Sequence, residues 1–288
     1  MKTTRRKFIK NSGAALASAA LLSQLPVNIL AAGLSGDKLS FGFQVWTIRK
    51  KLIEDFPGTL QEMAAMGFSE VEMCSPLGYS FVGFKPLNEM SGTEMRKIVE
   101  DAGLKCTSSH FTINELRNSL DNRIEWAQEM GMKQMVCSMF MVPNETTTMD
   151  DWKKAALELN VMAEKTQAAG IQMAYHNHHW EFQKINDELI YPVLMDEFDP
   201  ELVKMQFQVA VVSIGYQAAD YFRKYPGRFI SAHLADWSNE KESEAPVGQG
   251  IVDWEDLFEA AKTGGVQNFF VEMNLDTFEE SAKYLMEV

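Results

Sequence analysis

Between residues 175 and 182 the chain reads Tyr-His-Asn-His-His-Trp-Glu-Phe, and three of its five histidines fall in that stretch. They directly follow an apolar run at 171–174 that reads as a short buried strand. Imidazole titrates near neutrality and is the commonest metal ligand, so histidines gathered at a strand end suggest a metal or proton-transfer site. Neighbouring residues on a strand face opposite sides, so at most two of the three converge on one point. A lone histidine is more often a packed or solvated side chain, and the cluster gains meaning only if other strand ends supply matching groups.

From residue 39 onward one pattern recurs: an amphipathic segment, a small-residue stop containing glycine, then four to six apolar residues. The stops include 64–67, 101–103, 129–131, 168–170 and 263–265, where glycine supplies the left-handed turn that ends a helix. The segments before them carry helical stripes, for example Trp152, Ala155, Ala156, Leu159, Met162 and Ala163, which are core faces. Less regular stops at 199–201 and 225–228 precede two further strands, and 39–45 reads as the first. Eight strands alternating with helices over about 250 residues predict a (β/α)₈ TIM barrel. A doubly wound sheet is the competitor, but the first strand is followed by no glycine-rich phosphate turn. No linker divides residues 33–288, which read as one domain.

In such a barrel, side chains at the strand ends meet although they are distant in sequence. Those ends offer Gln44 and Trp46, Glu72, His110, Ser138, His176 and His178, Gln208, His233 and Asp236, and Glu272. Polar, ligand-type residues in these apolar runs point to one shared site. His176, Gln208, His233 and Glu272 come one each from the last four strands.

The same residues sit in a recognisable order: Gln44-Val45-Trp46-Thr47-Ile48-Arg49, Val71-Glu72-Met73, Ser108-Ser109-His110, Tyr175-His176-Asn177-His178 with Glu181-Phe182, Tyr225-Pro226-Gly227-Arg228-Phe229, His233-Leu234-Ala235-Asp236, Gly248-x-Gly250-x-Val252-Asp253-Trp254 and Val271-Glu272. In that order they resemble the sugar phosphate isomerase/epimerase family with a xylose isomerase-like barrel, in its Tyr-His-Asn-His branch, across essentially all of the chain after residue 39. The resemblance implies an enzyme that enolises a keto sugar beside a divalent metal held by strands five to eight. The family's Glu, Asp, His and Glu map to His176, Gln208, His233 and Glu272. Gln44, Trp46, Arg49, Asn177, Glu181 and Asp236 are the expected substrate contacts. Two ligand positions depart from the pattern, and a set with one negative charge favours Mn²⁺, Co²⁺, Zn²⁺ or Ni²⁺ over Mg²⁺.

Enolisation needs an electrophile on the carbonyl oxygen and a base beside the neighbouring C–H. Glu272 and Glu72 are the candidate bases, and His110 or His178 the candidate proton donors. A single base suits aldose–ketose isomerisation; β-elimination from a 3-keto-glycoside, a lyase reaction, is the alternative. A silent sugar-binding barrel and an abasic-site nuclease are further readings, the nuclease opposed by acidity and by a histidine supply too small for three zinc ions.

The 27 Lys and Arg against 40 Asp and Glu give a net charge of −13, and no basic run lies beyond the first ten residues, which argues against a nucleic-acid partner. Residues 4–10 carry Arg5-Arg6-Lys7-Phe8, an apolar Ala-rich stretch follows, and Ala31-Ala32-Gly33 offers small residues for cleavage. Residues 1–32 therefore read as a twin-arginine export signal, which implies a periplasmic location, and the apolar stretch is too short to span a bilayer. Export and the absence of a cationic cradle, with only Arg49 and Lys85 placed near the mouth, argue against a phosphorylated substrate. Cys74, Cys106 and Cys137 match no zinc framework and read as small buried thiols, a Cys106–Cys137 bridge being the alternative.

Overall fold

The computed structural model describes residues 39–288; the expected export signal lies outside them. Eight parallel strands close into a barrel: β1 (Phe41–Gln44), β2 (Glu70–Cys74), β3 (Lys105–Phe111), β4 (Gln134–Cys137), β5 (Gln172–His176), β6 (Val203–Gln208), β7 (Phe229–Leu234) and β8 (Asn268–Val271). Each pairs with the next, and β8 closes on β1. Closure excludes the doubly wound sheet, and the strands lie close to the bounds expected from the sequence. No helix among the described residues is long and apolar enough to cross a membrane.

Helices surround the barrel, and several start where a side chain satisfies the first free N–H groups. Thr148 and Asp151 form a reciprocal capping box at the start of Met149–Ala168, and Ser91 and Glu94 do the same for Gly92–Asp101. The longest strand-to-helix excursions follow β2, over 75–91, and β7, with a hairpin at Asp236–Ser238 and Ser243–Ala245; the one after β5 carries a hairpin at Lys184–Ile185 and Glu188–Leu189.

Alternation along each strand sorts side chains into two environments. On β6, Phe207 packs outward, its ring centroid 5.4 Å from Tyr221 and 5.6 Å from Phe222. Gln206 and Gln208 on either side of it therefore share the interior. On β5, Tyr175 stacks 4.3 Å from Phe140, which leaves His176 inside.

The interior is layered. At its base Gln134 donates to Asn268 (2.6 Å), and Asn268 and Thr107 both donate to Glu70 (3.0 and 2.9 Å). Val136, Ala174 and Ile230 form an apolar cluster above this ring. Glycine at residue 42 makes room for the buried Phe270 ring, which a Cβ there would meet at 2.7 Å. All three cysteines are buried and free, so no Cys106–Cys137 bridge exists.

Candidate active site

Above the apolar layer, residues from five strands form one buried network centred on Glu72. Its Oε1 accepts from Ser108 Oγ (2.6 Å) and Gln206 Nε2 (2.7 Å), and its Oε2 accepts from His233 Nε2 (2.5 Å), with His110 Nε2 3.3 Å away. Gln206 also donates to Ser231 Oγ (2.9 Å). Because its nitrogen must face the Glu72 carboxylate, its oxygen faces His110 Nε2 at 2.7 Å. His110 thus carries its proton on Nε2, and only Nδ1 has a lone pair to offer.

His233 is held at both ends. Its Nε2 meets Glu72 and its Nδ1 meets Glu272 Oε2 at 2.9 Å. Burial alone would lower its pKa, but the two carboxylates outweigh burial and raise it to about 9, so the ring is an imidazolium at neutral pH. Glu272 feels the same balance from the other side. Burial would raise its pKa, and the cationic His233 holds it down at about 2. Glu72 is also lowered, burial being overcome by His110 and His233. Since Glu72 is fully enclosed and its lone pairs are taken, it orients the histidines and is closed to substrate, contrary to its expected role as a base.

Glu272 is different. Oε2 takes donors from His233 and from Gln208 Nε2 (2.6 Å), whereas Oε1 has no hydrogen-bond partner and the side chain is 12% exposed at the mouth. Gln208 reaches the site, as the strand-six register predicts, but not as an oxygen ligand. Its Oε1 accepts from Ala210 N (3.2 Å), which fixes the amide with its nitrogen towards Glu272.

His110, His176 and His233 form a compact group whose ligand-capable atoms lie within 4.8 Å of one another. The His176 ring centroid is 4.4 Å from His233, 4.9 Å from His110 and 4.8 Å from His178. Nδ1 of both His176 and His178 is buried without a partner. Burial, then the neighbouring histidines, push His176 well below its usual range, and burial brings His178 to about 4, so both are neutral at pH 7. A buried, unprotonated nitrogen without a donor is what a metal ion or a ligand hydroxyl would satisfy. The group that could hold an ion thus includes His110 from β3 and omits the oxygen of Gln208.

The expected substrate contacts divide. Trp46 and Arg49 stand at the mouth, with Arg49 Nη1 donating to Trp46 O (2.7 Å) and the guanidinium 4.2 Å over the indole. Gln44 is buried, accepting from Trp46 N and donating to Cys74 Sγ. Asn177 accepts from Gln208 N (3.2 Å), tying the ends of β5 and β6 together. Glu181 accepts from Tyr175 Oη and His178 N, and burial raises its pKa to about 7. Asp236 accepts from the backbone N–H groups of Trp237, Gly248, Gly250 and Val252 and from Trp254 Nε1, which holds loop 246–252 against the barrel. Gly250 is required there, because a Cβ would lie 2.1 Å from Asp236 Oδ1. These four residues build the mouth and have their polar groups engaged within the protein.

Gln206 and Ser231 are the site residues that the strand-end reading passed over. The visible signal was their polarity in mid-strand, two residues before Gln208 and His233.

Solved structures resemble the chain throughout this architecture. A sugar phosphate isomerase/epimerase from Parabacteroides distasonis superposes with a TM-score of 0.72 at 23% identity, covering 88% of this chain and 98% of its own. The IolI protein with a bound zinc atom gives 0.62 at 14% identity, covering 86% and 94%. A xylose isomerase-like barrel protein from Mycobacterium smegmatis in complex with magnesium gives 0.61 at 14%, covering 82% and 88%. No curated protein matches the sequence. Residues 60–288, most of the barrel from its first helices onward, match the family profile itself, and the chain belongs to the xylose isomerase-like TIM barrel family.

Proposed function

We propose that the protein is an exported enzyme of the sugar isomerase/epimerase type that enolises a keto sugar, in the branch where a histidine stands at the end of strand five. The observation that carries this reading is the asymmetry of Glu272: one oxygen is held by His233 and Gln208, and the other faces the mouth unpartnered. A carboxylate with a pKa near 2 is always ionised but is a weak base. Abstraction of a C–H proton therefore needs a strongly polarised carbonyl, which is the chemistry a bound divalent ion supplies.

His110, His176 and His233 are the residues that would hold the ion. His176 offers a buried nitrogen without a partner, and His110 offers Nδ1. His233 joins them only by releasing one of its two carboxylate partners. Neutral nitrogen donors suit Zn²⁺, Co²⁺, Ni²⁺ or Mn²⁺ better than Mg²⁺. The zinc and magnesium in the IolI and M. smegmatis structures support a divalent ion in this fold.

With Glu72 enclosed, Glu272 is the accessible carboxylate, so proton removal and return take place on one face of the enediolate. That favours aldose–ketose isomerisation over two-base epimerisation. His178, neutral and with Nδ1 unpartnered, is placed to hydrogen-bond a sugar hydroxyl and steady the neighbouring oxygen.

The test is deuterium incorporation next to the carbonyl of free ketoses in D₂O, followed by NMR with the full chain plus Zn²⁺, Co²⁺ or Mn²⁺. Exchange is expected in the wild type and a loss of at least about a hundredfold in Glu272→Gln, the scale of one acid–base group. No exchange from any ketose, or an undiminished rate in Glu272→Gln, would sink the proposal.

A further inference from the structure

Outside the buried centre, one assembly at the mouth has no part in the chemistry above. Phe81 lies in the turn Ser80–Val82 after β2 and is 77% exposed, the most exposed large hydrophobic among the described residues. A single exposed phenylalanine means little. Phe81, however, is the outer step of a supported ladder. Its ring lies nearly parallel to Tyr79, with 17° between planes and centroids 6.5 Å apart. Tyr79 sets its edge on Trp46 at 5.8 Å and is backed by the buried Phe84 at 6.0 Å.

The inner step is fixed to the reacting centre. Trp46 N donates to Gln44, Gln44 donates to Cys74, and Cys74 pairs in register with His110. Arg49 clamps the indole from above and through its carbonyl, so its cation is engaged with Trp46. The ladder thus begins beside the histidines and rises to solvent: the exposed Phe81 ring and the half-buried Trp46 indole carry its open faces, Tyr79 is the buried support between them, and the exposed Lys85 follows Phe84 in the chain.

We infer that Phe81 and Trp46, with the buried Tyr79 as the support between them, form a subsite for a second, non-reacting ring carried by an uncharged reducing sugar, while the reducing sugar itself occupies the centre. The inference deepens the enolising reading and rests on it for the identity of the mouth as the entrance for sugar. Rigid aromatic faces bind the apolar face of a pyranose or of an aryl group at little entropic cost. None of the three rings carries a charge, so the stacking itself favours an uncharged second group. The loops after β4, β6, β7 and β8 carry further exposed apolar side chains, Val142, Ile214, Ile251 and Leu275.

The experiment is calorimetric titration of the full chain with glucose, cellobiose and 4-O-benzylglucose, repeated on Phe81→Ala and Phe81→Trp. Both two-ring probes are expected to bind more tightly than glucose. Phe81→Ala should weaken them roughly three- to tenfold, the scale of one lost aromatic pair, and Phe81→Trp should retain them. Selective loss of 4-O-benzylglucose alone would assign the subsite to an aryl group, and loss of both to a ring face in general. Thermal unfolding of Phe81→Ala should match the wild type, because so exposed a ring contributes little to the core. Failure of the two-ring probes to bind, equal affinity for all three, or a concentration-dependent dimer abolished by Phe81→Ala overturns the inference. Deuterium exchange from free ketoses reports separately: exchange without a two-ring preference leaves the enolising reading intact, and a two-ring preference without exchange leaves the ladder intact.

Discussion

Replacing Gln208 with aspartate tests how this centre keeps Glu272 in place. In the structure the Gln208 amide donates to Glu272 Oε2 at 2.6 Å, and its oxygen is locked by Ala210 N. Aspartate removes that donor, and a hydrogen bond to a charged group is worth about 1.5–3 kcal/mol. It also brings in a second carboxylate, and two like charges about 4 Å apart repel by about 4 kcal/mol at an effective dielectric of 20. The cation on His233 offsets part of this, which leaves an expected destabilisation of about 3–5 kcal/mol in the absence of metal. Urea unfolding in the presence of a chelator should therefore shift to clearly lower midpoints for Gln208→Asp, with the slope unchanged. Zinc at a hundred times its dissociation constant should restore about 2.7 kcal/mol. Tighter metal binding should come with slower ketose exchange, because the added charge weakens polarisation of the carbonyl. A variant as stable as the wild type in chelator would show that the Gln208–Glu272 hydrogen bond does not hold the carboxylate, and the argument would fail.

Three further outcomes can be checked. Glu115, buried under Ser75 with Arg123 3.7 Å away, has its pKa raised by burial to about 7. A raised carboxylate pKa gives stability that is present below about pH 4.5 and lost as pH climbs to about 7, so Glu115→Gln should gain about 3 kcal/mol on the wild type between pH 4.5 and 8 in urea titrations; a constant gap would remove the claim. Asp236→Asn puts an amide where an acceptor serves five donors, and it should expose loop 246–252 to limited proteolysis; an uncut loop with an unchanged Tm would contradict the clamp. Arg5→Lys with Arg6→Lys should retain the protein inside the cell in fractionation, and normal export of that double variant would end the periplasmic reading.

The barrel was legible because its determinants are local. Glycine stops, helical stripes and short apolar runs each show in a window of a dozen residues, and β7, Phe229–Leu234, begins directly after the stop read at 225–228. The polar strand ends were legible for the same reason. What stayed hidden is pairing between strands. Glu72 stood out as a carboxylate at a mouth, but that His233 covers it, across 161 residues of sequence, follows only from closure of the barrel. Gln206 was passed over because attention stopped at each strand's last residue, although alternation already placed it on the same side as Gln208. Asn177, Glu181 and Asp236 looked like substrate contacts because their motifs are polar. Their actual partners are mostly N–H groups of the chain itself, which no side-chain pattern announces.

The apolar layer of Val136, Ala174 and Ile230 has an electrical consequence. It insulates the charged centre from the polar ring at the base, so the barrel behaves as a cup rather than a pipe. With His233 protonated between Glu72 and Glu272, the cup holds two negative charges and one positive. The resulting field leaves in one direction only, through the mouth. An approaching cation is drawn in along that axis, and an anion meets repulsion there.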